Sequence, residues 1–216
     1  MKTLLNKQEY LYLLTQEGVY ESIFALFLCR IEDINWFEYF ARQLHFIQAN
    51  TIVTYGVGTS HYYNGKMTIN HNQALLDNMV ILHEYGHFIF DDKVSEESII
   101  ITDLFKKETL SLVNDEEYLV KLYRKFGHSI NWHHFCYNRR YCPIMLTDGI
   151  SIIQGKKSLG ISHHHDYPIC NLASELFTEV LEAEVMGYKV PLAIYKKECP
   201  KTYSYIKNKI YEVLDV

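Results

Sequence analysis

Residues 81–90 read ILHEYGHFIF and contain the pattern H-E-x-x-H as His83, Glu84 and His87. Residues four apart lie one turn up the same face of a helix, so both imidazoles can point at one metal ion. Glu84 sits one residue round from His83. From there its carboxylate reaches a water on that metal rather than the metal itself. The ion that suits this arrangement is Zn2+, which brings the pKa of its water toward neutrality and polarises a substrate carbonyl. Glu84 is then the general base, taking the water's proton and passing it to the leaving amine. The competing explanation is a hydrogen-bonded pair of core histidines. That pair would bury two imidazoles and a carboxylate in an apolar helix, which is costly without partners.

Two histidines are not a complete zinc site. A local third ligand would follow H-E-x-x-H-x-x-G-x-x-H, but Phe90 and Lys93 stand where the glycine and the last histidine would fall. A carboxylate on a second helix is the other common solution. Glu96, Glu97, Glu108, Glu116, Glu117 and Glu175 are the candidates. Glu96 and Glu97 follow the motif too closely for the chain to turn back. Glu108, Glu116 and Glu117 belong to the charged run KKETLSLVNDEE, which reads as a solvated surface. Glu175 is favoured, because it lies early in an amphipathic helix beside Ala173 and Ser174, small residues that permit close helix approach.

The elements that would position these groups follow from pattern. Residues 7–49 read as two or three helices with aromatic stripes at helical spacing. TIVTYGVG, from residue 51, is β-branched and aromatic and favours a strand. Asn64-Gly65 then marks a two-residue hairpin turn. The segment 51–70 is therefore expected to be a small antiparallel sheet, with 66–70 as an edge able to accept an extended peptide. Asn70 or Asn72 can cap a helix from about Gln73 to Phe90, ended by Asp91-Asp92. Its Met-Val-Ile-Leu turn is apolar all round and predicts burial. Residues 94–140 read as irregular helix. NLASELFTEVLEAEVMG is an amphipathic helix with Gly187 as its C-terminal cap, and a last helix is expected over 200–214. Met186 reads as core.

Composition narrows the classes. The chain has 216 residues, 48% hydrophobic and 22% charged, as in an ordinary globular protein. A net charge of -5 argues against a nucleic-acid partner, since phosphate neutralisation needs a basic surface. No apolar run approaches a membrane span, and MKTLLNKQEYLYLL meets polar residues before a signal-peptide core could form. Five cysteines without a C-x-x-C pair read as reduced thiols. The expected location is cytoplasmic, or outside the cell by delivery without a cleavable signal. His128, His133 and His134 near Trp132 read as an amphipathic surface rather than a second metal site.

HEYGHFIFDD, followed much later by ASELFTEVLEA, resembles the zincin domain of anthrax lethal factor and its relatives. In those proteins H-E-x-x-H is followed by a helix of the form E-x-E-F-F-A-E-A, whose middle glutamate is the third zinc ligand. That glutamate matches Glu175, and the next acidic position matches Glu179. CPKTYSYIKNKIYEVL (199–214) resembles the end of the same domain. LTDGISIIQGKKSLGISHHHDY is similar to a segment of zincins in polymorphic toxins and phage minor head proteins, with Asp148, His163 and Tyr167 in its acidic, histidine and tyrosine places. The resemblance implies that His163 or Tyr167 stabilises an oxyanion. His164 and His165 are alternatives to His163, and a solvated loop is the competing explanation for the run.

The sequence thus predicts an α+β, zincin-like fold, with an N-terminal helical extension at 1–50 and a metallopeptidase domain at 51–216 forming one compact unit. The expected function is zinc-dependent hydrolysis of a peptide bond in a protein substrate, in a toxin or effector setting. His83, His87 and Glu175 would hold the ion and Glu84 would be the base. The alternatives are an intracellular regulatory zincin that cleaves a repressor, and a non-catalytic phage or binding protein on the same fold. Substrate and oligomeric state are not encoded in any motif found.

Overall fold

In the computed structural model of the chain, the described residues are 7–16, 23–76, 79–112, 115, 117 and 172–215. They are mostly helical with one small mixed sheet, an α+β composition. Two compact units are distinguished, Met1–Phe88 and Ile89–Asp215. Among the described residues no helix is long and apolar enough to cross a membrane.

The first unit opens with α1 (Lys7–Gln16), α2 (Ile23–Arg30) and α3 (Ile34–Ala49). Asp33 starts α3 by accepting hydrogen bonds from the backbone N–H groups of Asn35 (2.9 Å) and Trp36 (3.2 Å), two donors that have no partner within the helix. The aromatic stripes meet where α2 and α3 pack. Phe27 lies edge-on to Phe40 at 5.2 Å, and Phe40 contacts Trp36 and Tyr39 as well. Edge-to-face aromatic pairs of this kind contribute beyond their buried area.

The strands are β1 (Thr51–Thr54), β2 (His61–Tyr63) and β3 (Lys66–Asn70). Asn64 and Gly65 both have positive φ (49° and 77°), the conformation a two-residue hairpin turn requires, and β2 pairs antiparallel with β3 as the motif predicts. The rest of the sheet departs from expectation. β1 runs parallel to β3, with Thr51 opposite Met67 and Val53 opposite Ile69. The order is β1-β3-β2, so the sheet is mixed and residues 66–70 form its central strand rather than an edge. Period-2 alternation explains the interior position: Met67 and Ile69 are fully buried between two neighbours.

Asn70 links sheet to helix. Its Oδ1 accepts from the N–H of Gln73 (3.0 Å), capping α4 (His71–Leu76), and its Nδ2 donates to the carbonyl of Gly56 (3.3 Å). The helix carrying H-E-x-x-H is α5 (Met79–Ile89). Asp91 and Asp92 do not end the helical path. The chain continues as a π-helix over Phe90–Val94 and a 3-10 turn over Ser95–Glu97 before α6 (Ser98–Thr109). The buried side chains of Phe90 and Val94 hold the widened turn in place, whereas the two aspartates are exposed.

The second unit packs α6 with α7 (Leu172–Val185), α8 (Lys189–Glu198) and α9 (Pro200–Leu214). Gly187 (φ 62°) ends α7, and the Tyr188 N–H returns to the carbonyl of Ala183 (2.9 Å), closing the turn. Pro191 does not break the chain. It lies in the first turn of α8, where a missing N–H has no helical partner to lose. Glu108 of α6 closes the start of α9. Its carboxylate accepts from the N–H groups of Lys201 and Thr202, each at 2.8 Å, and from the Thr202 hydroxyl at 2.8 Å. Cys199, fully buried, has its thiol pushed far above the ordinary range by burial and by the nearby carboxylates of Glu108 and Glu198. It is a free thiol, as is exposed Cys29.

Glu184 receives three residues of α9: the Tyr203 hydroxyl, the Tyr211 hydroxyl (3.4 Å) and the Lys207 ammonium (3.1 Å). Burial, followed by the hydrogen bond to Glu184, holds the Tyr203 hydroxyl well above the ordinary tyrosine pKa of 10.0. Tyr205, donating to Glu97 at 2.5 Å, and Tyr39 in the first unit are also raised, chiefly by burial. A group whose folded pKa exceeds its unfolded value stabilises the fold fully below the unfolded pKa. That stability is lost as pH rises above it. The urea midpoint of the chain is therefore expected to hold up to about pH 10 and to fall steadily toward pH 12. A midpoint unchanged over that range would show that these hydroxyls ionise equally in both states.

Candidate metal centre

The candidate ligands lie on two helices, one in each unit. In the first unit, Tyr85 lies about half a turn round α5 from His83. Its ring meets Phe40 at 5.8 Å and stacks on Phe88 at 6.1 Å, and its hydroxyl lies 3.3 Å from that of Tyr39. With Ile81 and Leu82, both buried, this anchors one side of α5. His83 and His87 share another face, as their four-residue spacing predicts.

The two imidazoles meet through their Nε2 atoms, 3.2 Å apart, with ring planes at 87°. Two zinc–nitrogen bonds of about 2.05 Å at a tetrahedral angle place their nitrogens about 3.3 Å apart. The pair therefore has the spacing of two ligands on one ion, although the same spacing also serves an N–H···N hydrogen bond. His83 and Glu84 are buried and His87 is half-buried. A ring of β2, Tyr62, stacks on His87 with centroids 6.5 Å apart and planes at 18°. Nothing in the motif announces Tyr62; its signal is strand alternation just ahead of Asn64-Gly65.

In the second unit, Glu175 stands in the first turn of α7, where the helix dipole favours a negative charge. Glu179 and Glu182 follow at i+4 and i+7, on the same face. All three are buried, with Glu175 4% exposed, Glu179 7% and Glu182 2%. Buried carboxylates demand partners of opposite charge or a metal. Glu182 has no counterpart in the motif resemblance, yet its helical spacing alone places it with the other two.

The remaining carboxylates considered from sequence are placed elsewhere. Glu97 pairs with Lys209 (3.1 Å) and Tyr205, and Glu108 caps α9. Glu96 and Glu117 are exposed. Glu116, and the segment holding His163, His164, His165 and Tyr167, lie outside the described residues, as do Asp148 and the histidines at 128, 133 and 134. Compared with known proteins, the chain matches no family model, no curated protein and no solved structure.

Proposed function

We propose that the chain is a zinc-dependent metallopeptidase with a zincin-like arrangement, acting on a peptide bond of a protein substrate. The observation that carries this reading is the Nε2–Nε2 spacing of 3.2 Å between His83 and His87 on a buried helix, with Glu84 between them. Glu175 is the proposed third ligand. In its support, Glu175 is a buried carboxylate in the first turn of α7, and Glu179 and Glu182 are buried carboxylates on the same helix face.

A bound zinc would supply Lewis acidity, polarising the scissile carbonyl and acidifying a water. The chain's own residues do the rest. His83 and His87 present neutral imidazole nitrogens, and Glu175 contributes a carboxylate that offsets the ion's charge. Glu84 accepts a proton from the attacking water at its carboxylate and returns it to the leaving nitrogen. Among the described residues the edges of the sheet are β1 and β2. An extended peptide adding to β2 would run beside Tyr62 and His87. A toxin-like or effector setting follows only from the resemblance to the lethal factor and polymorphic-toxin zincins. His163 or Tyr167 as oxyanion donor rests on the same resemblance.

The ligand assignment is tested by zinc content. Glu175→Gln is expected to weaken zinc binding by more than the roughly 10- to 100-fold typical of lost supporting partners, whereas Glu108→Gln leaves it unchanged. Full zinc retention in Glu175→Gln, with loss in Glu179→Gln or Glu182→Gln, would transfer the assignment to Glu179 or Glu182. Hydrolysis of a mixed peptide library, abolished by chelation and restored by zinc, tests the activity itself.

A further inference from the structure

Tyr62 takes no part in the chemistry proposed above, yet it is built against one of the two histidines. It lies in the middle of β2, opposite Met67 of β3. Alternation along β2 turns His61 and Tyr63 outward, with Tyr63 71% exposed, while Tyr62 shares the inward face with fully buried Met67. There its ring stacks on that of His87 with a large lateral offset, the planes 18° apart and the centroids 6.5 Å apart. It also meets Phe88 edge-on at 6.2 Å and 89°. Phe88 is itself held by Tyr85 at 6.1 Å and by Phe46 of α3 at 5.4 Å. A continuous set of rings thus runs from α3 to the imidazole.

The geometry separates Tyr62 from the ligand position. The lone pair of an imidazole Nε2 lies in the ring plane, and His83 approaches His87 there, with the two ring planes at 87°. Tyr62 stacks offset from the imidazole, out of that plane. It leaves the metal position clear and opposes tilting of the ring.

We propose that Tyr62 is a positioning residue for the metal centre, holding the plane of the His87 ring through offset stacking; this rests on the metal reading of His83 and His87. The test titrates the full chain with Zn2+ against a chromogenic chelator, and with Co2+ to saturation for the visible spectrum. Variants are Tyr62→Leu, which keeps an apolar strand residue without a ring, Tyr62→Phe, and Tyr63→Leu as the outward-facing control. Tyr62→Leu is expected to bind zinc about 2- to 12-fold more weakly and to shift the saturated cobalt bands. Tyr62→Phe and Tyr63→Leu should match the parent in both measurements.

Parent affinity together with parent cobalt bands in Tyr62→Leu overturns the proposal and leaves the metal reading standing. Weaker affinity with an unchanged saturated spectrum also overturns it, because a purely structural role moves only the first. Failure of Tyr62→Phe to restore the parent values removes the stacking basis. A parent chain that binds no zinc overturns the proposal and the metal reading together.

Discussion

Glu84→Gln is expected to keep one zinc per chain while its rate of peptide hydrolysis falls roughly 10²- to 10⁴-fold. The argument begins with the position of the residue. Glu84 is one step round α5 from His83 and is 5% exposed, so it lies beside the proposed ligands in a largely water-free place. A glutamine has nearly the same volume, and the packing of Ile81, Leu82 and Tyr85 around the helix has no reason to change. What disappears is the capacity to accept a proton. Binding and catalysis are thereby separated in one substitution. Zinc content by atomic absorption, beside single-turnover hydrolysis, reads both. A variant that keeps more than about a tenth of the rate would exclude Glu84 as the base. A variant that loses zinc with the rate would make Glu84 a ligand instead.

His87→Ala is expected to abolish zinc binding at working concentrations. Structural zinc sites in small peptides release about 10–16 kcal/mol in all; on that scale one of three or four ligands carries about 3–4 kcal/mol, or roughly 10²- to 10³-fold in affinity. His87 suits the test better than His83 because it is half-buried, and its removal leaves less empty space in the core. The loss has a second signature in stability. A ligand that binds only the folded chain raises its melting temperature, by about 2.7 kcal/mol worth of stabilisation at a hundred times Kd. Zinc should therefore raise the Tm of the parent and leave that of His87→Ala unmoved. An equal rise in both would show that zinc stabilises the chain elsewhere.

The features legible in the sequence are those governed by local rules. Asn64-Gly65 specifies positive φ at two successive positions, and only a tight hairpin uses that conformation. Gly187 ends α7 because the left-handed conformation there costs glycine little. The four-residue spacing of His83 and His87 fixes a shared helix face whatever surrounds it. The parallel pairing of β1 with β3 was hidden, because its partners are sixteen residues apart (Thr51 with Met67) and no local period records them. With it went the idea of 66–70 as an edge. The charged pair Asp91-Asp92 looked like a stop, but charges on the exposed side of a helix do not end it while Phe90 and Val94 are buried on the other. For the proposed centre, the histidine pair and the proposed base follow from spacing, whereas the proposed third ligand lies on a helix far along the chain. Glu175, Glu179 and Glu182 share one buried face of it, so spacing alone does not choose among them.

The closure of α9 by Glu108 bears on how the second unit folds. The carboxylate that satisfies the first turn of α9 comes from 93 and 94 positions earlier in the chain. A helix capped by its own neighbours can nucleate locally, within microseconds. One whose cap arrives over so long a separation must wait for that loop to close, and such non-local contacts are what slow folding at a given stability. The start of α9 is therefore a reporter of late events: amide protection at Lys201 and Thr202 measures the completion of the unit rather than the formation of the helix that contains them.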